Sequence, residues 1–533
     1  MPNYLDIFAG AGGLSEGFIR AGYEPIAHIE MDKAACYTLK TRLAYKWLSE
    51  HQESAIYTRY LRREITRKEL YATVPETLLK SVLNYEISKD NLEEIFKKVD
   101  QLLNGKVLDL IVGGPPCQAY SLVGRARDEN GMIGDSRNYL YILYAEFLRK
   151  YHPKYFVFEN VTGLLSAKDT DGELYFDKMR RLFRKCGYSI EHRQLNAKDY
   201  GVLQNRSRII LIGKYGQHEG FYPNIPKVRN SYTVAEIFKD LPKIKAGKGT
   251  YGLVPTLHYN GKYLFDAKIK EQDLESVTLH CARPHRTQDL KIYKKVIQLW
   301  NKEKKRLSYT DLPKNLQSQK NLNSFLDRFK VVASDLPYSQ TVVAHIAKDG
   351  HYFIHPDIKQ NRSLTPREVA RLQTFPDNYY FESASGRPSR TTAFKQIGNA
   401  VPVLLLSLIH ISDSAFMFRI PGKEIQSFHL LCLQYQTLQI LTGPSSALEI
   451  PDNSGPIVPF LRPVKYPAVQ IGLSLQKGLA ISIGLPGSIE KLLPYFIRES
   501  RLIEYLLLSP GIHLSSVGGN QIRDPFFLLY LLR

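Results

Sequence analysis

The segment Val107-Leu108-Asp109-Leu110-Ile111-Val112-Gly113-Gly114-Pro115-Pro116-Cys117-Gln118-Ala119-Tyr120-Ser121 is the most informative part of this 533-residue chain. The apolar run that ends at Val112 is typical of a buried parallel strand. Two glycines and two prolines then end the strand, because glycine permits unusual backbone angles whereas proline fixes φ and lacks an N–H donor. Cys117 is therefore predicted at the carboxyl edge of a sheet, where open α/β folds bind ligands. From this pattern alone the thiol is either a buried structural group or a reactive one.

A second informative segment opens the chain. Residues 4–18 predict a short strand, a glycine-rich turn and the start of a helix, an arrangement that lets a ligand approach backbone amides. The next predicted strand, Pro25-Ile26-Ala27-His28-Ile29, ends in Glu30. A carboxylate at that position either accepts hydrogen bonds from a ribose or is a solvated charge at a strand end.

Two further strand ends carry polar side chains. The apolar run Tyr155-Phe156-Val157-Phe158 is followed by Glu159, and a carboxyl group in a partly desolvated cleft has a raised pKa and can donate a proton. Arg206 and Arg208 precede the predicted strand Ile209-Ile210-Leu211-Ile212. They are either charges that flank a strand or groups that hold an anion or orient a base.

The order and spacing of these segments resemble the DNA cytosine-5 methyltransferases that use S-adenosylmethionine, of the prokaryotic restriction–modification type. The resemblance extends from residue 4 to about residue 410 and includes a late motif and a closing motif. The matching motifs in family order are residues 6–18, 113–121, 159–161, 204–208, 362–377 and 396–402. The resemblance implies an α/β fold of the Rossmann-like class I methyltransferase type, with a doubly wound, mostly parallel sheet and a smaller target-recognition domain.

The resemblance also implies the catalytic groups. Cys117 matches the nucleophile that adds to carbon 6 of cytosine and makes carbon 5 electron-rich, which is covalent catalysis. Glu159 matches the acid that contacts the exocyclic amine and protonates ring nitrogen 3. Arg206 and Arg208 match the arginines that position the base and support the site. The cytosine must leave the base stack for this chemistry to occur.

The cofactor implied by the resemblance is S-adenosyl-L-methionine, and no metal is expected. Glu30 would bind the ribose hydroxyls, and Glu64 is the nearest candidate for the acid that contacts the adenine amine. The other residues expected to bind the cofactor are Phe8, Gly10, Gly12, Gly13, Pro115, Asn399 and Val401.

Composition agrees with a nucleic-acid substrate. The formal charge of +20 favours a polyanionic partner. Five cysteines without a CxxC pair indicate a reducing compartment rather than zinc fingers. No signal peptide and no uninterrupted apolar stretch of membrane-spanning length is apparent. The sequence therefore predicts a cytoplasmic enzyme that acts on double-stranded DNA, with no membrane partner.

The motifs also divide the chain into regions. Residues 1–213 are predicted to form the catalytic and cofactor-binding domain, with a solvated helical insertion at 41–106. Residues 214–384 contain the target-recognition region and the late motif, and residues 385–412 return to the catalytic domain. Residues 413–533 form a C-terminal extension with weak patterning, which favours poor order or an aberrant origin.

The biological role expected by analogy is the modification part of a restriction–modification system, with the enzyme acting as a monomer on DNA beside a cognate restriction endonuclease. Two alternatives are a tRNA cytosine-5 methyltransferase and a non-catalytic DNA-binding relative. The large basic recognition region favours DNA over tRNA. The presence of Cys117, Glu159, Arg206 and Arg208 favours an active enzyme.

Overall fold

The computed structural model of the protein describes residues 1–116, 120, 136–228, 231–272, 274–317 and 325–414, and three short strands nearer the C-terminus. Cys117 and the segment 121–135, which includes the glycines and arginines that follow the nucleophile motif, lie outside the described residues. Residues Met1–Tyr435 form one compact unit, and Gln436–Arg533 form a second.

The bounds of the elements are as follows. The α-helices are α1 (Gly13–Arg20), α2 (Lys33–Glu50), α3 (Ser54–Leu61), α4 (Arg67–Ala72), α5 (Glu76–Lys80), α6 (Leu92–Leu103), α7 (Leu140–Tyr151), α8 (Tyr175–Lys185), α9 (Tyr263–Asp266), α10 (Thr287–Glu303), α11 (Pro366–Leu372), α12 (Arg390–Asn399) and α13 (Val403–Ser414). The strands of the first unit are β1 (Asn3–Ile7), β2 (Glu24–Ile29), β3 (Val82–Leu83), β4 (Leu110–Gly113), β5 (Tyr155–Asn160), β6 (Tyr188–Asn196), β7 (Ser207–Tyr215), β8 (Val254–Pro255) and β9 (Ser276–Val277). Short 3-10 helices cover Ser136–Tyr139, Thr162–Ser166, Ala197–Asp199, Val234–Ile237, Tyr309–Asp311, Lys314–Leu316 and Ala344–Ala347.

A seven-stranded sheet in the order β3-β2-β1-β4-β5-β7-β6 forms the centre of the first unit. Its strands are parallel except β7, which pairs antiparallel with both β5 and β6. The predicted doubly wound, mostly parallel sheet is therefore confirmed. The apolar runs before Gly113 and Glu159 become β4 and β5, which are adjacent and in register.

Helices cover both faces of the sheet. On one face, side chains of β1 and β5 pack with those of α6, α7 and α8, including Ile7, Ile95, Phe147, Phe158 and Phe183. On the other face, Tyr4 and Val112 pack with Phe18 of α1 and with Leu405 and Ile409 of α13. The last described helix of this unit therefore lies beside the first, although they are far apart in sequence.

The contact between α1 and α13 depends on Gly17. A Cβ atom at that position would lie 2.7 Å from the Cβ atom of Leu406, which is closer than side chains approach one another. Because Gly17 has no side chain, the backbone of α1 packs directly on α13. This packing brings the residues before α13, which form the closing motif, next to the start of α1.

The segment 41–106 differs from the predicted solvated insertion. It supplies β3, which extends the sheet from β2, and α6, whose apolar residues Ile95 and Val99 are fully buried. The segment is helical, as the spacing of its apolar residues predicts, but α6 packs its apolar residues on the sheet and is not a solvated helix. The prediction of a solvated excursion is wrong for this reason.

The helices α2 to α4 also contact a distant part of the chain. The buried Glu382 carboxylate accepts hydrogen bonds from Thr41 Oγ1 at 2.7 Å and from the hydroxyl of Tyr60, and Arg67 Nη1 lies 3.4 Å away. Tyr57 Oη donates to the carbonyl oxygen of Asn378 at 2.9 Å. These bonds attach the helices to the segment between the late motif and α12.

The recognition region shares a hydrophobic core with the catalytic region. One buried cluster includes Ala44 and Leu61 from the N-terminal helices, Leu279 from the recognition region, and Phe394 from α12. Buried ion pairs add to this core, because Arg371 contacts Asp240 at 2.6 Å and Asp377 at 2.7 Å. Removing one partner of such a buried pair costs about 3–5 kcal/mol, since a buried charge is left without compensation. The boundary predicted near residue 213 is therefore not a break in packing.

Among the described residues, Arg390–Ile409 is the stretch long and apolar enough to cross a membrane. Its most apolar window is 67% buried inside the protein, and the stretch contains the whole of α12 and the first part of α13. This burial is typical of a core element of a folded unit.

In the second unit the structure describes β10 (Ile471–Ser474), β11 (Ala480–Ile483) and β12 (Leu514–Ser516). β10 pairs antiparallel with β11 and parallel with β12. The prediction of poor order for residues 413–533 otherwise falls outside the described residues.

Candidate active site

The carboxyl ends of three neighbouring strands form the candidate site. Ile7 of β1 pairs with Gly113 of β4, and Gly113 pairs with Phe158 of β5. Because these strands are parallel, the residues that follow them emerge at the same edge of the sheet. The glycine-rich turn, the Gly114-Pro115-Pro116 turn and Glu159 are therefore neighbours, as the sequence predicts.

Glu159 is buried at the end of β5 and forms an ion pair with Arg208, whose Nε lies 2.6 Å from Glu159 Oε1. Burial raises the pKa of the Glu159 carboxyl, although the charges of Arg208 and Arg206 oppose that change. A carboxyl group with a raised pKa retains its proton more readily near neutral pH, which suits a proton donor.

The turn before Cys117 packs closely on Glu159. A Cβ atom at Gly114 would lie 2.7 Å from Glu159 Oε2, so a side chain at that position would displace the acid. Asn160 Nδ2 donates a hydrogen bond to the carbonyl oxygen of Pro115 at 3.4 Å. Residues 159 and 160 therefore hold the Gly114-Pro115-Pro116 turn, from which Cys117 directly follows. Cys117 itself lies outside the described residues.

Arg206 and Arg208 occupy different environments. The Arg206 side chain is buried and donates to the backbone carbonyl oxygens of Val342, Ala400 (2.7 Å) and Gly398 (3.3 Å). Arg206 thus holds the closing motif in place, whereas Arg208 directly contacts the acid. The sequence predicted both arginines at the site but did not separate these roles.

Gln204, from the same motif as Arg206, joins the late and closing motifs. Its Nε2 donates to the carbonyl oxygen of Leu372 and to Oε1 of Gln373, both at 2.9 Å. Gln373 Nε2 donates in turn to the carbonyl oxygens of Ile397 (2.8 Å) and Ala400 (2.9 Å). These buried amides explain why the three motifs, distant in sequence, meet in space.

The glycine-rich turn lies against Glu30. Glu30 accepts backbone hydrogen bonds from Gly10 and from Asp32, both at 2.7 Å. Burial raises the pKa of the Glu30 carboxyl, while these backbone bonds oppose the change. Phe8 at the start of the turn has a φ of 58°, a conformation that is uncommon for a residue other than glycine. Such strain is found at ligand sites.

The other glycines of the turn are required by close packing. Gly12 has a φ of 80°, and a Cβ atom there would lie 2.8 Å from Leu39 Cδ2 and from Tyr379 Oη. A Cβ atom at Gly13 would lie 3.1 Å from the carbonyl oxygen of Val401. Val401 is thus buried against the turn, whereas Asn399 is exposed at the end of α12.

The prediction for Glu64 is wrong in its placement. Glu64 is exposed on the connection after α3, where its carboxylate lies 3.8 Å from Arg59 and 4.0 Å from Arg62. The third strand in sequence order is β3, and the polar residue that follows it is Asn84. Asn84 Nδ2 donates to the carbonyl oxygens of Glu30 and Met31, both at 3.0 Å. Because β3 has only two residues, its apolar pattern was too short to be recognised from sequence.

Asp6 is a site residue that sequence reasoning missed. It lies at the carboxyl end of β1, is fully buried, and neither carboxylate oxygen has a hydrogen-bond partner among the described residues. Burial, and secondarily the charge of Glu30, raise the pKa of Asp6 well above its usual range. The sequence around Asp6 is an ordinary strand-end pattern, so the burial of its carboxyl group can be identified only from the structure.

The donors and acceptors at this edge fit the predicted cofactor. S-adenosylmethionine carries hydroxyl and ammonium donors, and the carboxyl oxygens of Asp6 and Glu30 can accept hydrogen bonds from such groups. A Cβ atom at Gly10 would meet no atom within 4 Å, so a ligand has room to approach the backbone at that position. Among the described residues, no group of three His, Cys, Asp or Glu side chains could hold a metal ion.

A polar cluster holds the residues on either side of the undescribed segment 121–135. Tyr120 is buried and its hydroxyl donates to the carbonyl oxygen of Asn138. Asp169 accepts hydrogen bonds from Tyr139 at 2.7 Å, Tyr175 at 2.9 Å and Lys178 at 2.6 Å. The rings of Tyr120 and Tyr175 contact each other edge to face, with centroids 5.6 Å apart. Sequence reasoning missed this cluster, because no local pattern connects its members.

Comparisons with known proteins agree with this geometry. The profile of the C-5 cytosine-specific DNA methylases matches residues 3–67 and 77–412. The type II methyltransferase M.Bpa9945I of Bacillus paralicheniformis is 38% identical over 441 residues, which cover 76% of this chain and 97% of the relative. M.DdeI of Desulfomicrobium norvegicum, also a type II methyltransferase, is 30% identical over 431 residues, covering 76% of this chain and 86% of the relative.

A solved structure shows a similar fold. A DNA modification methyltransferase encoded within an Escherichia coli prophage superposes with a TM-score of 0.51 at 21% identity. The match covers 79% of this chain and all of that structure. At this level of identity the likeness supports the fold alone.

Proposed function

Because this chain belongs to the family of C-5 cytosine-specific DNA methylases, we propose that Cys117, Glu159, Arg206 and Arg208 carry its reaction. The protein is a DNA cytosine-5 methyltransferase that uses S-adenosyl-L-methionine. The positions of Glu159, Arg206 and Arg208 support their proposed roles, and the family motif supports that of Cys117. The observation that carries the proposal is the buried pair of Glu159 and Arg208 packed on the turn that directly precedes Cys117.

In the proposed reaction, the Cys117 thiolate adds to carbon 6 of a flipped cytosine, while the proton of Glu159 goes to ring nitrogen 3. The resulting enamine carries its electron density on carbon 5, which receives the methyl group that the bound cofactor supplies. Water then takes the proton from carbon 5, and the electrons of that bond re-form the double bond to carbon 6 and expel Cys117 as a thiolate. Ring nitrogen 3 returns its proton to the Glu159 carboxylate, which restores the ring and the acid. Addition and elimination leave the thiol unchanged, so the cysteine is regenerated for each turnover.

Arg208 and Arg206 have different roles in the proposed site. Arg208 holds the Glu159 side chain at a fixed position through its Nε contact of 2.6 Å. Arg206 acts at a distance, because it holds Gly398 and Ala400 of the closing motif against the glycine-rich turn. Arg206 is therefore a positioning residue, and Arg208 orients the acid.

The proposed cofactor residues surround the same edge of the sheet. Glu30 would accept hydrogen bonds from the ribose hydroxyls, and Phe8 would lie near the adenine. The backbone near Gly10, Gly12 and Gly13 would lie along the amino-acid part. Pro115, Asn399 and Val401 would complete the site, and the buried carboxyl of Asp6 lies at the carboxyl end of the neighbouring strand β1.

Double-stranded DNA is the substrate that the relatives named type II methyltransferases indicate. We further propose that the enzyme modifies DNA within a restriction–modification system, beside an endonuclease that cuts the same site. It would act as a monomer in the cytoplasm. The family and the relatives support DNA rather than tRNA as the substrate. The assembled pair of Glu159 and Arg208 supports an active enzyme rather than a non-catalytic relative.

Replacing the nucleophile tests this proposal. Cys117→Ser should abolish methylation of DNA in cells that express the chain, because a hydroxyl is far less ionised than a thiol near neutral pH. Bisulfite sequencing would report the methylated cytosine and its sequence context for the wild-type protein only. Purified wild-type protein should also form a covalent adduct with DNA containing 5-fluorocytosine at that site, since fluorine blocks the final elimination.

The matched control is Cys281→Ser, which alters a buried cysteine of the recognition region. This variant should retain both methylation and adduct formation. An adduct trapped by Cys117→Ser would show that another residue is the nucleophile.

A further inference from the structure

A tyrosine from the late part of the chain reaches the glycine-rich turn. Tyr379 is 1% exposed, and its Oη donates a hydrogen bond to the carbonyl oxygen of Ala11 at 2.6 Å. The ring packs against Phe375 and Phe381, with centroid distances of 4.9 Å and 5.2 Å. Tyr379 follows the late motif in sequence, so this contact joins segments that the chain order separates.

The hydroxyl of Tyr379 also fills the space beneath the turn. A Cβ atom at Gly12 would lie 2.8 Å from Tyr379 Oη, so the turn and the tyrosine fit only because residue 12 is glycine. The opposite side of the turn is held by the bond from Gly10 N to Glu30 Oε2 at 2.7 Å. The conformation of the turn is thus fixed from two sides, by Glu30 and by Tyr379.

The helix that starts at this turn is attached to the same tyrosine. Arg42 donates to Glu16 of α1 at 2.8 Å and 2.6 Å, and its guanidinium lies 5.0 Å from the centroid of the Tyr379 ring. Arg42 Nη1 also donates to Asn378 Oδ1 at 2.9 Å. The turn and the first helix therefore share one support, formed by residues 378 and 379.

Tyr379 is connected in turn to the recognition region. Arg367, which is fully buried, donates from Nη2 to the carbonyl oxygen of Tyr379 at 2.8 Å. The same guanidinium donates to the carbonyl oxygen and to Oγ1 of Thr278, both at 3.0 Å. Thr278 directly follows β9 in the recognition region. A continuous path of hydrogen bonds therefore runs from Thr278 through Arg367 and Tyr379 to Ala11.

We propose that Tyr379 is a positioning residue for the cofactor turn and that Arg367 couples this turn to the recognition region. The proposal rests on the proposed function, since it assumes that residues 8–13 bind the cofactor. The cofactor would bind at the turn, and DNA would bind at the recognition region. Each ligand then favours the arrangement that the other requires, and this coupling is reciprocal.

The first test replaces only the hydroxyl. Tyr379→Phe leaves the carbonyl oxygen of Ala11 buried without its donor, and the loss of such a bond is expected to weaken binding of S-adenosylhomocysteine about five- to tenfold. Isothermal titration calorimetry would measure this change. The rate of methylation at saturating cofactor should stay within about twofold, because Tyr379 does not touch the reacting atoms.

The matched control is Tyr380→Phe. Tyr380 is the next residue, and its ring contacts Tyr60 edge to face at 5.9 Å rather than the cofactor turn. This variant should bind S-adenosylhomocysteine as the wild type does. Equal weakening in both variants, or no weakening in a folded Tyr379→Phe protein, would overturn the proposal.

The second test changes the recognition region and measures the effect on cofactor binding. The affinity for S-adenosylhomocysteine would be measured with and without a duplex that carries the site found by bisulfite sequencing. Thr278→Val removes the hydroxyl that Arg367 contacts and should lower the ratio of the two affinities at least threefold, whereas Thr278→Ser should preserve it. Neither substitution alters Tyr379 or a residue of the cofactor turn, so the test remains valid if Tyr379→Phe fails to fold.

An unchanged ratio in Thr278→Val would overturn the coupling through Arg367. Failure of the proposed function would give a different result, because wild-type protein would then not bind S-adenosylhomocysteine at all. The two failures are therefore distinguishable in the same titration.

Discussion

At Glu159, burial and charge act in opposite directions. Burial favours the neutral carboxyl, and the guanidinium groups of Arg208 and Arg206 favour the carboxylate. Burial is the larger effect, so the pKa of Glu159 is raised. Because the raised pKa belongs to the folded protein, the neutral form stabilises the fold below that pKa, and this stabilisation is lost as pH rises through it.

The ionisation of Glu159 should appear in the pH dependence of the reaction. Protonated Glu159 donates the proton, so the single-turnover rate should fall as pH rises through its raised pKa. Ionisation of Cys117 should raise the rate with pH, and the two limbs together give a bell-shaped profile. Glu159→Gln should lower the rate by about 10²- to 10⁴-fold and remove the falling limb.

The control for this profile is Glu173→Gln, which removes a half-buried carboxylate that pairs with Arg181. The control should retain the wild-type profile. If Glu159→Gln kept the falling limb, that limb would belong to another group, and Glu159 would not be the proton donor.

The connection after β5 acts as a unit with α8. Asp169 on this connection accepts hydrogen bonds from Tyr139, Tyr175 and Lys178, and Tyr120 packs on Tyr175. Burial alone would raise the pKa of Asp169, but the hydrogen bonds from Lys178 and Tyr139 hold it well below its usual range. The ionised carboxylate therefore fixes the residues that flank the nucleophile segment, and Tyr120 is separated from Cys117 by two residues.

Asp169→Asn should disturb the position from which Cys117 reacts. The amide loses the charge that attracts Lys178 and cannot accept as many hydrogen bonds. Adduct formation with 5-fluorocytosine DNA should slow about tenfold, while the affinity for S-adenosylhomocysteine should stay within about twofold. Rapid-quench measurement of the adduct would give the rate. An unchanged rate, or an equal loss of cofactor affinity, would contradict a role of this cluster in placing the nucleophile.

The first compact unit contains every motif of the family, and the family match ends at residue 412. The helix α13 completes this unit, because its Leu405, Leu406 and Ile409 are buried against the first helix and the sheet. The reaction and the cofactor site therefore require the chain through α13. None of the proposed site residues lies beyond it.

A chain that ends at Phe418 should bind S-adenosylmethionine and methylate DNA at least as well as the full chain. The physical reason is that the buried face of α1 remains covered. A matched chain that ends at Pro402 lacks α13, leaves Phe18 and Val112 uncovered, and should aggregate or melt at a clearly lower temperature. Differential scanning fluorimetry and a methylation assay would distinguish these two truncated proteins. A soluble, folded chain ending at Phe418 with weakened cofactor affinity would give the C-terminal extension a working role.

Local sequence patterns were sufficient to predict the strand ends at Gly113 and Glu159 and the glycine-rich turn. An apolar run followed by glycine, proline or a charge ends a buried strand wherever it occurs, and parallel strands bring such ends to one edge. The family resemblance added the expected chemistry of Cys117, which the described structure does not test. These features depend on residues that are neighbours in sequence.

Contacts between distant segments could be found only in the folded chain. Asn84 rather than Glu64 follows the third strand, and that strand has only two residues. The carboxylate oxygens of Asp6 lack hydrogen-bond partners among the described residues because of the packing around them. The attachment of Tyr379 to Ala11 depends on the return of the chain after the recognition region. The residues next to a side chain in sequence do not indicate to which distant carbonyl oxygen it donates, because the packing of the whole unit selects that partner.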